Sequence, residues 1–176
     1  MSQASIAIIG GSGIYSIEGI DVIEELSIDT PFGKPSDKII ICNIEGNNIA
    51  FLPRHGKGHF IMPTEVPSKA NIYALKSIGV ETIISISAVG SLKEKIKPRD
   101  FVIPNQIIDR TRQRPVSFFG EGIVGHVGFA EPFCQSLSNY LYQTIKEKNM
   151  VTVHKDETYL CMEGPLFSTK AESELY

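Results

Sequence analysis

The sequence has no apolar run approaching the ~20 residues that span a bilayer, and its start lacks a charged stretch followed by a signal-like apolar core. No membrane association and a cytoplasmic location are the expectations. Cysteine is scarce. Cys42, Cys134 and Cys161 are odd in number, far apart and not spaced as metal ligands, which argues against a disulfide framework and against a zinc site. Three reduced, mostly buried thiols are expected. An excess of positive charge is missing too: 17 Lys and Arg stand against 20 Asp and Glu, which disfavours broad nucleic-acid binding. Arg110, Arg112 and Arg114 are crowded, but among polar residues in what reads as a loop, so a solvated or interface face is expected of them. Internal repeats, low-complexity tracts and linkers are absent, leaving a two-domain division without support.

What is present suits a globule. Apolar residues make up 42% and charged residues 21%, and 176 residues can enclose one substantial core, so a single domain over 1–176 is expected. Ser5 to Ile9 is a short apolar run ended by Gly10-Gly11-Ser12-Gly13, a buried strand followed by a tight turn. Val22 to Ile28 and Lys38 to Ile44 read as strands, and Asn47 to Leu52 pairs with the latter across Glu45-Gly46 as a hairpin. Pro67 suits a first helical turn, Ala70, Tyr73, Ala74 and Ile78 recur at helical spacing, and Gly79 supplies the stop. Val80 to Ser87 is an apolar, β-branched strand, and Asp100 to Ile108 another, interrupted by Pro104.

A long Gly, Pro and Arg-rich stretch reaches Ala130; loops of that length usually serve function or a partner. Phe133, Leu137, Leu141 and Ile145 mark an amphipathic helix, Thr158 to Met162 a strand, and Thr169-Lys-Ala-Glu172 a capping box. Strands alternating with helices predict an α/β layer. Tyr176 falls inside a helix that has just started and has no stop signal, which reads as a truncated chain.

Three loops offer chemistry. Gly10-Gly11-Ser12-Gly13 can present backbone N–H groups and a hydroxyl to an anion, because glycine lets the main chain approach closely. It fits a structural turn equally well, and the hairpin that follows breaks the βαβ unit a dinucleotide fingerprint requires. Arg54 and His55, with His59, stand at a strand end among glycines; Arg offers a bidentate fork to phosphate and His a ring N–H. Ser87 and Ala88 follow another apolar strand, at the kind of strand end that lines ligand crevices in α/β sheets, and they serve a tight turn as readily.

Resemblance weighs between these readings. Ile9-Gly-Gly-Ser-Gly13, Asp29-Thr-Pro-Phe-Gly-Lys-Pro-Ser36, Pro53-Arg-His-Gly56, His59, Pro63, Ala70-Asn71, Ala74-Leu75 and Gly90-Ser-Leu92 occur in one order. Ile108-Asp-Arg-Thr111, Arg114-Pro115, Ala130-Glu-Pro-Phe133 and Glu163-Gly-Pro165 to Ala171-Glu-Ser173 continue it. Together they resemble the purine nucleoside phosphorylase family, on its methylthioadenosine-cleaving branch, through the whole chain.

The resemblance implies a three-layer α/β/α fold with a mixed central β-sheet, in which the loops after Ile9, Leu52 and Ser87 meet on one edge. It implies phosphorolysis of 5′-methylthioadenosine to adenine and 5-methylthioribose 1-phosphate. A phosphorylase for methylthioinosine or another purine nucleoside, or an inactive phosphate-binding fragment, are the alternatives. Inorganic phosphate would be a co-substrate, with no metal or organic cofactor, and the assembly a homotrimer. By the same resemblance Ser12, Arg54, His55, Ser87 and Ala88 hold phosphate. Phe167 stacks on the base and Ser168 replaces a glutamate of the 6-oxopurine enzymes, while His126 reaches a neighbouring subunit's 5′-substituent pocket. The aspartate that assists the leaving purine is expected beyond Tyr176.

Overall fold

The computed structural model describes residues 4–11 and 21–176. Contacts divide it into two compact units, one running to Ala88 and the other Val89–Tyr176.

In the first unit five strands form one mixed sheet: β1 (Ile6–Gly10), β2 (Asp21–Leu26), β3 (Ile39–Ile44), β4 (Asn47–Pro53) and β5 (Thr82–Ile86), in the order β2-β3-β4-β1-β5. The expected hairpin is β3–β4, antiparallel, with Glu45 and Gly46 both at positive φ in its turn. β1 pairs in parallel with β4 on one side and β5 on the other. Register sets Ile41, Ala50, Ala7 and Ile83 side by side across four strands, so they share a face. Helix α1 (Ser68–Ser77) buries Ala70, Ala74 and Leu75. Ala74 and Leu75 join Ala7, Ile39, Ile41, Ala50 and Leu52 in one apolar cluster.

Alanines where strand and helix meet keep the layers close. Pro67 is the N-cap of α1 rather than a residue of its first turn. Gly79, at φ 96°, closes the helix: its N–H donates to Lys76 O and that of Val80 to Leu75 O, the paired bonds of a Schellman motif.

The second unit has a parallel pair, β6 (Phe101–Asp109) and β7 (Val153–Cys161), with α2 (Gln135–Lys148) between them in sequence and against both, and α3 (Lys170–Leu175) at the end. β7 begins five residues before the expected Thr158 because its first half is polar. Ile103 pairs with Lys155 but Pro104 with Glu157, leaving Asp156 as an extra residue at φ 61°; Gln106 then pairs with Thr158, restoring the register. A bulge there accommodates a proline that has no N–H for the ladder.

The polar half of β7 is held by charge. Glu157 is buried, and its carboxylate oxygens lie 2.5 Å from Lys93 Nζ and 2.5 Å from Lys95 Nζ. His154 Nε2 lies 2.8 Å from Asp100 Oδ2.

The thiols are free, but only Cys42 is buried, and burial pushes its pKa up. Cys161 is half-buried. Cys134 is exposed as the N-cap of α2, where the Ser136 hydroxyl lowers its pKa, so the expectation of mostly buried thiols fails at a helix start facing water.

Hydrogen bonds from Lys93 and then Lys95 draw the Glu157 pKa from an ordinary 4.5 down to about 2. A depressed carboxylate pKa contributes stability that is present above the unfolded value and is lost as pH falls through the folded one. Denaturant titrations should therefore show stability falling between pH 4.5 and 2, with a shallower fall in Glu157→Gln. Parallel curves for the two proteins would contradict the assignment.

Candidate functional site

The parallel register of β4, β1 and β5 aligns Pro53, Gly10 and Ile86, so the residues that follow meet at one edge of the sheet. Arg54 N–H donates to Gly10 O at 2.9 Å, carrying the β1–β4 ladder one step past the strand. From there the guanidinium reaches across β1: Arg54 Nη1 donates to Ser87 Oγ at 3.0 Å. Nη2 lies 3.8 Å from where a side chain on Gly11 would begin. Ser87 and Ala88 are exposed beside it. Arg54, its neighbour His55 and Ser87 are thus brought together, with Ala88 following Ser87 in the chain, while Ser12 lies outside the described residues.

The loop that carries Arg54 is pinned at both ends by side chains that sequence reasoning gave no role. Buried Ser36 donates its hydroxyl to Pro53 O at 2.6 Å and its N–H to Oδ1 of buried Asn71 on α1 at 2.8 Å. Asp37 Oδ2 accepts from Lys57 N–H at 2.5 Å. A signal was present in Asn71, a polar residue on the helical face that buries Ala70 and Ala74.

Inside the loop, the N–H groups of Phe60 and Ile61 both donate to His55 O at 3.1 Å. Gly56 is required: its φ is +73°, and a Cβ there would sit 2.5 Å from the Phe60 ring. His55 is buried, and its ring stacks on that of His59 at 4.4 Å.

Phe167 and Ser168 lie in the second unit, after β7. Phe167 is 92% exposed. The start of α3 is capped by Thr169 through the predicted box with Glu172. Ser168 Oγ lies 2.7 Å from Ser173 Oγ.

The segment leading to them is latched. The Glu163 carboxylate accepts from the N–H groups of Arg112 and, at 2.9 Å, Gln113, and the Arg112 bond is the main reason its pKa is lowered. Arg114 Nη2 donates to Met162 O at 3.1 Å and Glu163 O at 2.7 Å. Its Nε faces Glu163 Oε1 at 3.4 Å. Arg110 and Arg112 are solvated as expected, but Arg114 is partly buried because it satisfies those carbonyls. His126 is exposed in the long loop between β6 and α2.

A mixed sheet whose parallel strands end in a guanidinium, a hydroxyl and glycines defines an α/β protein suited to an anionic small molecule. The profile of the phosphorylase superfamily matches residues 5–176, and the chain belongs to that superfamily. It is 54% identical, over 98% of its length and 61% of the relative's, to an S-methyl-5′-thioadenosine phosphorylase of Thermosynechococcus vestitus. Among solved structures, a methylthioadenosine phosphorylase from an antarctic soil metagenomic library superposes with a TM-score of 0.94 at 49% identity, over 99% of this chain and 61% of that one. The Schistosoma mansoni methylthioadenosine phosphorylase in complex with adenine gives 0.92 at 35% identity, over 98% and 70%. The fold is therefore the α/β nucleoside phosphorylase fold. The chain spans about three fifths of the length of the curated relatives it matches.

Asn71→Ala strips the buried Ser36 N–H of its acceptor, and a stranded donor costs ~1–3 kcal/mol. Urea unfolding should register a loss of that size, larger than for Asn48→Ala, a substitution on the half-buried hairpin. Equal losses would mean the Ser36–Asn71 bond contributes nothing particular.

Proposed function

We propose that the chain forms the phosphate-handling part of an enzyme that cleaves 5′-methylthioadenosine with inorganic phosphate, giving adenine and 5-methylthioribose 1-phosphate. The observation that carries this reading is the reach of Arg54 to Ser87 across the aligned strand ends, taken with relatives named S-methyl-5′-thioadenosine phosphorylase at about half identity. A guanidinium supplies directed N–H groups and a permanent positive charge to phosphate oxygens.

Ser12, Arg54, His55, Ser87 and Ala88 form the phosphate site in this proposal. Glycoside cleavage passes through a sugar with oxocarbenium character, so the anion held beneath the ring is both the nucleophile and the charge that stabilises it. The C1′–N9 bond breaks with its electron pair leaving on the purine while a phosphate oxygen forms the new bond to C1′, and the proton that phosphate gives up on esterification balances the one the released adenine gains. Phosphate supplies the oxygen and the bound groups supply the orientation, so the step needs no metal or organic cofactor. Phe167, with its exposed ring, and Ser168 meet the purine, the serine in a place where a 6-oxopurine enzyme carries a carboxylate.

The proposal includes a homotrimer in the cytoplasm. Val116, Val124, Val127 and Phe129 are 66% to 88% exposed in the loop around His126. An apolar run of that kind suits burial by a second copy, which would bring His126 to a neighbour's 5′-substituent. No described helix is long and apolar enough to cross a membrane.

Protein expressed from the complete reading frame should release adenine from 5′-methylthioadenosine only when phosphate is present, faster than hypoxanthine from methylthioinosine, and should sediment as three chains. Arg54→Ala should lower kcat/KM for phosphate about a hundredfold, as expected for a lost charged hydrogen-bond fork, and Ser12→Ala less. Phosphate-independent cleavage, or an Arg54→Ala enzyme equal to the parent at limiting phosphate, would defeat the reading.

A further inference from the structure

His55 carries a second constraint, which rests on the phosphate reading and refines it. Its Nδ1 lies 2.8 Å from the carbonyl oxygen of Ile61. A carbonyl only accepts, so Nδ1 holds the proton. Its Nε2 lies 3.3 Å from Arg54 Nε. A guanidinium nitrogen only donates, since arginine stays protonated in proteins, so Nε2 presents its lone pair. The two bonds together select one species, the neutral imidazole protonated on Nδ1. In it no ring N–H is left to point at an anion.

We infer that His55 is a positioning residue for Arg54 and that its ring makes no direct bond to phosphate. The Arg54–His55 bond fixes Nε, and a planar guanidinium fixed at Nε and at Nη1 has little rotational freedom left. With Nη1 on Ser87 Oγ and Nη2 against Gly11, the guanidinium plane spans the three strand ends. The surroundings support a ring held still: His55 is buried, is stacked on His59 and lies in a loop tied by its own carbonyl to Phe60 and Ile61. An imidazolium at this place would set an Nε2–H against the Arg54 N–H and a second positive charge beside the first. A fixed arginine binds an anion more tightly than a mobile one because less side-chain freedom is lost on binding.

A double-substitution cycle in protein from the complete reading frame separates the two roles. His55→Ala should raise KM for phosphate about tenfold, with kcat at saturating phosphate within about twofold of the parent. On the Arg54→Ala background the same change should leave KM for phosphate unaltered, because the group it acts through is gone. An equal tenfold effect on both backgrounds would show that the ring contacts phosphate itself and overturn the inference. Arg54→Ala with an unchanged phosphate KM would remove the phosphate site and this inference with it. Nitrogen-15 NMR of the imidazole in the unsubstituted protein gives an answer free of any folding defect. Protonation at Nδ1 with a bare Nε2, with and without saturating phosphate, is the expected signature. A proton on Nε2 in the phosphate-bound state contradicts it.

Discussion

The site depends on one constraint, the parallel pairing of β1 with both β4 and β5. Parallel strands place their carboxyl ends on the same edge, and backbone register decides which residues come out level. Here Pro53, Gly10 and Ile86 are level, so Arg54, Gly11 and Ser87 are neighbours although they come from three parts of the chain. A one-residue slip in either pairing would turn every side chain of the moved strand to the opposite face and exchange core for solvent. The apolar row Ile41, Ala50, Ala7 and Ile83 resists that slip, so the packing that stabilises the first unit also sets the geometry of the edge proposed to hold the anion.

Strand register positions backbone only to the end of the strand, and beyond it the loop needs its own support. Ser36 and Asn71 tie the last residue of β4 to α1, and Asp37 holds Lys57 on the far side of the turn. Buried Ser36 and Asn71 have each found a partner, which makes their bonds specific as well as stabilising. The second unit repeats the device with Arg114 and Glu163, which fix the segment between β7 and Phe167. In both places a side chain that touches no proposed ligand determines where a proposed ligand-binding side chain can sit.

Much of the first unit was legible in the sequence. Short β-branched runs bounded by glycine, together with the helical spacing of Ala70, Ala74 and Ile78, mark its strands and helix. The resemblance in turn singled out the loops that the strand ends bring together. What escaped reading was polarity used as structure. The first half of β7 looks like loop because His154, Lys155, Asp156 and Glu157 are charged or titratable, and they occupy a strand because Asp100, Lys93 and Lys95 meet two of them. Arg114 read as part of a solvated cluster because the carbonyls it satisfies are nearly fifty residues away. Asn71 and Ser36 stand in quoted motifs, but their bond crosses 35 residues and no local pattern announces it. Long-range hydrogen bonds are set by tertiary pairing, and a period or a cap carries no trace of them.

The central claim is that the aligned ends of β4, β1 and β5 hold the phosphate. Tungstate, a tetrahedral oxyanion with strong anomalous scattering, locates such a site directly in crystals of the protein. The account predicts one dominant anomalous peak within hydrogen-bonding distance of the Arg54 guanidinium and Ser87 Oγ, displaced by added phosphate. A peak elsewhere that phosphate displaces, with the Arg54 edge empty, would contradict it.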